Sequence, residues 1–322
     1  MELFDTYLDQ KQLAPNSIKA YKTAYTKMLT ILNIPIDVPD LNWVKKYKHN
    51  LEVLDQANLK ISVEKQMIGL LSGLSSYIQH ENSEPHMAYK AILTKCSNIQ
   101  KDIGMDQVKN QQQSDKWISY EKLSDLILNY PFDDGLDGKL KRALLIFLLY
   151  LPRRIGEISL IKVFYKPLKD GKPDGLTELN PTRIDQEFNY LVLSDDPTKC
   201  CLIFYNYKTI RSYGVQYIEL PPLIYPALMD YLKSRPDFKQ GKFLPLFTKP
   251  DDGLAYPASS LTKVVTRAMA KISGKKLNPH LFRHVYISHY LSKKLSIKQK
   301  KDITDKLATS LQEGQLTYQK IE

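Results

Sequence analysis

Apolar residues return at helical spacing through most of the first hundred positions. After Pro15, the residues Ile18, Tyr21, Tyr25, Met28, Leu29 and Leu32 recur every three or four positions with Lys19, Lys22 and Lys27 between them, which predicts a helix. Asp40 can cap a second helix carrying Trp43, Val44, Tyr47, Leu51 and Leu54. Two more helical patterns cover about 62–80 and 85–100, parted by the breaker Glu81-Asn82-Ser83-Glu84-Pro85. The Gln111-Gln112-Gln113-Ser114 run then reads as part of a linker. Helices are expected again near 119–130 and 137–152, and Arg154 stands just past Pro152 at the start of another helical segment. A β-rich stretch comes next. Tyr190 to Leu193, Leu202 to Tyr207 and Val215 to Leu220 read as strands, with Arg211-Ser212-Tyr213-Gly214 as a turn. From Pro222 onward the pattern is helical once more, at about 222–234, 259–273, 279–294 and 297–310.

These elements imply a mainly α protein with a small antiparallel β-sheet, an α+β chain. They divide it into a helical domain over 1–105, a linker over 106–116 and a second domain over 117–322. A length of 322 residues suits two cores better than one. The longest apolar run, Ala143 to Leu151, is too short to span a membrane, and the first residues lack the apolar segment of a secretory signal. Cys200 and Cys201 are adjacent and Cys96 is distant, without metal-ligand spacing, so a reduced intracellular setting is expected.

Charge sharpens the picture. The net charge is +11, but residues 1–110 hold 13 Lys/Arg against 12 Asp/Glu and are nearly neutral. Between Lys263 and Lys301 lie 11 basic residues and no acidic one, the electrostatic footprint of a polyphosphate partner. Within that stretch sits His280-Leu281-Phe282-Arg283-His284. Pro279 suits a first helical turn, which puts His280, Arg283 and His284 on one helical face. The two histidines have the spacing of a zinc-binding helix. However, the general-base position holds Leu281, and Arg283 would stand as a cation beside any metal, so no metal is expected. Arg154-Ile155-Gly156-Glu157 lies 126 residues earlier, and Tyr318 lies 35 residues after Arg283. Two guanidiniums can clamp the non-bridging oxygens of one phosphodiester, and a tyrosine beyond them can attack the phosphorus.

The ordered set Arg-x-x-Glu, His-x-x-Arg-His and a late tyrosine resembles the signature of the tyrosine site-specific recombinases, the phage-integrase superfamily. The resemblance covers roughly 117–322 at motif level and the first domain only in layout, where it implies a small SAM-like helical domain that clamps DNA. It implies duplex DNA as substrate and a 3′-phosphotyrosine intermediate, with no cofactor, no metal and no ATP. Among the sites, it prefers Arg154 to its neighbour Arg153, because an acidic residue stands three positions after the first catalytic arginine. Glu157 would orient Arg154, Arg283 would be the second clamp, and His280 would donate or shuttle a proton with His284 in support. The family's β-hairpin lysine, which protonates the leaving 5′-oxygen, falls on Lys208, with Lys199 as the competing choice. Tyr318 would be the nucleophile, leaving Tyr286 and Tyr290 as packing residues. Lys263, Arg267, Lys271, Lys275 and Lys276 would supply DNA affinity.

The sequence departs from the family pattern twice. Thr309 occupies the place, nine residues before the tyrosine, where the family usually carries His or Trp. Four residues follow Tyr318, where many members have a longer tail that docks on a neighbouring subunit, which puts the usual mode of assembly in question. The expectation is a site-specific recombinase or integrase of a virus or mobile element. It would act as a homotetramer on synapsed sites, away from membranes, in a bacterial cytoplasm or in a host nucleus or cytoplasm. A type IB topoisomerase-like enzyme and a DNA-binding relative that has lost catalysis are the alternatives.

Overall fold

In the computed structural model, which describes residues 2–13, 15–38, 40–105, 107–165 and 185–320, the chain divides into two compact units, Met1–Asp106 and Gln107–Glu322. The first is helical: α1 (Glu2–Gln10), α2 (Pro15–Ile31), α3 (Tyr47–Gln56), α4 (Ile61–Ile78) and α5 (Glu84–Met105). Its core joins Phe4 and Tyr7 of α1, Tyr25 and Met28 of α2, and Leu71 and Leu74 of α4, with Phe4 stacked on Tyr25 at 3.8 Å. One buried polar network pins this core. Asn50 donates to the Trp43 carbonyl at 3.0 Å and to the Tyr89 hydroxyl at 2.9 Å, and that hydroxyl donates to the Val44 carbonyl at 2.8 Å.

Two expectations are adjusted here. The helix expected from Asp40 is broken: Asp40 accepts from Asn42 N, but this opens a 3-10 turn over Asn42–Lys45, and α3 starts afresh at Tyr47. The breaker before the fourth helix does not delay α5, because Pro85 stands in its first turn, where a missing N–H costs nothing. α1 was not foreseen.

The second unit opens with α6 (Gln111–Lys116), in the stretch expected as a linker; residue 106 of that stretch lies outside the described residues. The reason is local. Asn110 accepts from Gln113 N while the Gln113 side chain accepts from Asn110 N, a reciprocal cap hidden in the glutamine run. Next come α7 (Tyr120–Leu128), the almost wholly buried α8 (Leu136–Tyr150), the single turn α9 (Ile155–Ile158) and β1 (Ile161–Tyr165). β2 (Asn189–Leu193), β3 (Cys201–Phe204), the short α10 (Ile210–Tyr213) and β4 (Gln216–Glu219) follow. α11 (Tyr225–Lys233), β5 (Phe243–Pro245), α12 (Ala258–Ser273), α13 (Pro279–Leu291), α14 (Ile297–Lys306) and α15 (Leu311–Glu313) complete the unit. The chain then makes a wide π-type turn over Gly314–Tyr318.

The fold is α+β as expected, but the sheet is mixed rather than antiparallel. Its order is β4-β3-β2-β1-β5, and β1 pairs parallel to β2 with Ile161 opposite Asn189. A parallel pair needs a crossover connection rather than a hairpin, which alternation of side chains does not announce. β2 is buried on both faces. Leu191 and Leu193 face the main helical core, while Tyr190 and Val192 pack with Cys201 and Ile203 on the other side. Among the described residues no helix is long and apolar enough to cross a membrane.

Candidate active site

The site is built around the end of α14. The sequence pattern runs on to 310, yet the helix stops at Lys306 and Ala308 turns into the left-handed region at φ 51°. A helix end leaves carbonyls without partners and carries partial negative charge. Here successive carbonyls are taken by side chains from other elements. Asp305 O accepts from Gln216 Nε2 at 2.8 Å, and Lys306 O accepts from Arg153 Nη1 at 2.9 Å. Leu307 O accepts from Arg283 Nη2 at 2.7 Å. Ala308 O accepts from Thr209 Oγ1 at 3.0 Å and, at the long limit of 3.5 Å, from Arg154 Nη1. These donors come from the β4 strand, the start of α9, α13 and the turn after β3, and they draw the chain out of its helical path.

Glu157 is buried and serves two guanidiniums. Its Oε2 accepts from Arg153 Nε at 2.7 Å and its Oε1 from Arg154 Nη1 at 3.1 Å. Arg153, passed over in the sequence, is thus the better-held member of the pair. It is fully buried, reaches Gln216 Oε1 at 2.7 Å and lies over the Phe204 ring at 4.0 Å; burial lowers its pKa despite Glu157. Its i,i+4 spacing to Glu157 was the available signal. Arg154 keeps 27% of its side chain exposed and lines a cleft of about 270 Å³ together with Gly156, Thr262, Asn278, His280 and Arg283. Burial pushes Arg283 down to about 10, which still leaves it cationic at neutral pH. Three guanidiniums against one carboxylate leave positive charge without a counter-charge at the cleft. Arg153 Nη2 and Arg283 Nε, on two residues that line the cleft, and Thr309 Oγ1 are buried without hydrogen-bond partners among the described residues.

α13 delivers its motif as the sequence suggests. Asn278 caps it by accepting from Leu281 N at 2.9 Å, with Pro279 in the first turn. Tyr318 returns to this helix from the π-type turn. Its ring lies 4.8 Å from the Arg283 guanidinium carbon, 5.0 Å from the His284 ring and 5.6 Å from the His280 ring. Its carbonyl accepts from His284 Nδ1 at 3.0 Å and from Ser288 Oγ at 3.3 Å, and Ser288 Oγ in turn accepts from Lys320 N at 2.8 Å. The Tyr318 hydroxyl has no hydrogen bond to the described residues. His280 is held below the ordinary imidazole range by its surroundings first and then by the Arg283 and Arg154 charges. Burial pushes His284 down to about 4.

The remaining candidates fall in three places. Lys208 is exposed in the turn after β3, next to Thr209 with its bond to Ala308 O; Lys199 lies at the opposite end of β3. Tyr286 and Tyr290 pack edge-on against Tyr120 at 5.9 and 5.6 Å. Lys263, Arg267 and Lys271 are not brought to the cleft. They line a separate concavity of about 1080 Å³ with Tyr130, Phe132 and Asp137, one helical step round α12 from the cleft-facing Thr262. Lys275 Nζ donates to Trp117 O at 2.9 Å, and Lys276 is exposed. Among the described residues no three His, Cys, Asp or Glu side chains gather as a metal-ligand set.

No protein-family model matches this chain, and no curated protein matches it. Among solved structures it is similar to the one titled "Crystal structure of XerA recombinase", with a TM-score of 0.42 and 15% identity, over 99% of this chain and 92% of that chain.

Proposed function

We propose that this chain cuts and rejoins duplex DNA through a covalent bond to Tyr318. The observation that carries the reading is the packing of the Tyr318 ring on the Arg283 guanidinium, beside a cationic cleft whose second open arginine, Arg154, comes from 129 residues earlier than Arg283 in sequence. Tyr318 Oη attacks the phosphorus, the bond to the 5′-oxygen breaks, and the 3′-phosphate stays on the tyrosine. The phenolic proton passes to His280, and Lys208 Nζ gives a proton to the departing 5′-oxygen. Rejoining reverses each transfer when a 5′-hydroxyl attacks the phosphotyrosine. The bond energy is kept in that link, so rejoining needs no nucleotide hydrolysis.

Arg154 and Arg283 act on the charge that builds on the non-bridging oxygens, where each fixed donor is worth about 3–4 kcal/mol. Thr309 Oγ1, buried without a partner, supplies a neutral donor where the family pattern has His or Trp. Thr209, tied to Ala308 O, keeps the Lys208 turn anchored at the same place as Arg154, which favours Lys208 over Lys199. Exchange of strands between two duplexes by this chemistry requires four nucleophiles and hence four copies of the chain. The test is a nicked suicide substrate, from which the cut fragment diffuses away. An adduct that survives denaturant should form, and Tyr318→Phe should abolish it while DNA binding persists. An undiminished adduct in that variant would assign the nucleophile elsewhere.

A further inference from the structure

The two histidines of α13 touch through the same kind of nitrogen. His280 Nε2 and His284 Nε2 are 3.2 Å apart, and their rings stand at 90°. Two such nitrogens form a hydrogen bond only when one carries a hydrogen and the other is bare. Which is which follows from the opposite side of the His284 ring. Its Nδ1 meets the Tyr318 carbonyl at 3.0 Å, and a carbonyl can only accept. His284 Nδ1 therefore carries the hydrogen. Burial holds this side chain neutral, with a pKa near 4, so its Nε2 is bare at neutral pH. The hydrogen between the rings then belongs to His280 Nε2. With that nitrogen engaged, His280 has only Nδ1 left for the cleft.

We propose that His284 is a positioning residue that acts through His280: it fixes the tautomer and orientation of that ring and ties it to the backbone of the nucleophile, so that His280 exchanges protons through Nδ1. This rests on the cleavage reading above and adds to it the route of the proton. During cleavage the Tyr318 phenolic proton moves to His280 Nδ1, which turns the ring into an imidazolium whose Nε2–H still points to His284. On rejoining, the phenolate takes the same proton back. The groups that face the pair fit this assignment. Arg283 and Arg154 disfavour a resting positive charge on His280, and Arg283 and Lys320 disfavour one on His284. From α12 the uncharged Thr262 lines the same cleft as His280.

Two measurements decide it. The first needs no DNA: long-range 1H–15N imidazole spectra of the free protein, assigned with His280→Gln and His284→Asn. His284 should be neutral with the hydrogen on Nδ1 down to about pH 5, and His280 should carry it on Nε2. A hydrogen on His284 Nε2, or titration of His284 in the ordinary imidazole range, overturns the assignment. The second is a double-mutant cycle on single-turnover cleavage at saturating nicked DNA. The Asn amide occupies the place of Nδ1, so His284→Asn keeps the bond to the Tyr318 carbonyl and removes only the acceptor for His280. It should slow cleavage about tenfold, the worth of one hydrogen bond, with DNA affinity unchanged. In a His280→Ala background the same change should cost nothing more. Additive losses, or a silent single variant, would make His284 merely structural. Should no variant and no wild-type protein form an adduct, the cleavage reading fails on its own and the spectra still judge the tautomers.

Discussion

At the scale of single residues, Arg153 and Arg154 show how adjacent identical side chains take opposite tasks. Arg153 is buried with four partners on four elements, whereas Arg154 keeps an open edge on the cleft. Arg153→Ala should therefore strip Glu157 of its closer partner and cost about 3–5 kcal/mol of stability, readable as a lowered urea midpoint. Arg154→Ala should leave that midpoint nearly in place and lower single-turnover cleavage by about 100- to 1000-fold. If both variants merely unfold, the division is wrong. His284 adds a pH dependence. Its folded pKa lies near 4, below the ordinary 6.5, so the unfolded chain takes up a proton that the folded one refuses. This contribution is complete above pH 6.5 and is lost as pH falls to about 4, by at most roughly 3 kcal/mol. Unfolding midpoints at pH 7.5 and 5 should converge in His284→Asn relative to the parent protein.

At the scale of elements, the long helices were legible from their period, and the strands β2, β3 and β4 as short β-rich runs bounded by turn residues. β5 has three residues, and β1 pairs in parallel with β2 and antiparallel with the distant β5, so neither offers a hairpin to read. The early end of α14 was illegible for a different reason. No breaker stands at 307–309; the donors that unwind it come from Arg153, Arg154, Thr209 and Arg283, all distant in sequence. The placing of His280, Arg283 and His284 on one helix was legible from their spacing, whereas the partnership of Glu157 with Arg153 is a matter of burial. The basic row of α12 was read as DNA-binding from charge alone, and the fold turns it away from the cleft. Replacing Lys263, Arg267 and Lys271 by Gln tests that role. If the row meets phosphates, the slope of log affinity against log salt should flatten by about 0.9 per contact, with cleavage at saturation unaltered. An unchanged slope would remove the row from the DNA interface.

At the scale of the molecule, positive charge is concentrated in the second unit, while the first is nearly neutral and held by a core of aliphatic and aromatic side chains. Within the second unit, the stretch from Asp305 to Ala308 has no regular structure beyond Lys306, and loops of that kind are often the first parts of a protein to open. Here opening carries a different penalty. Pulling these four carbonyls away would leave three guanidiniums, two of them buried, without the oxygens that shield them from one another. The stretch is thus locked to the sheet, to α9 and to α13 by mutual repulsion held in check. In a hydrogen-exchange measurement its amide hydrogens should fall in the slowest class of the unit rather than with the fraying end that their place in the chain suggests.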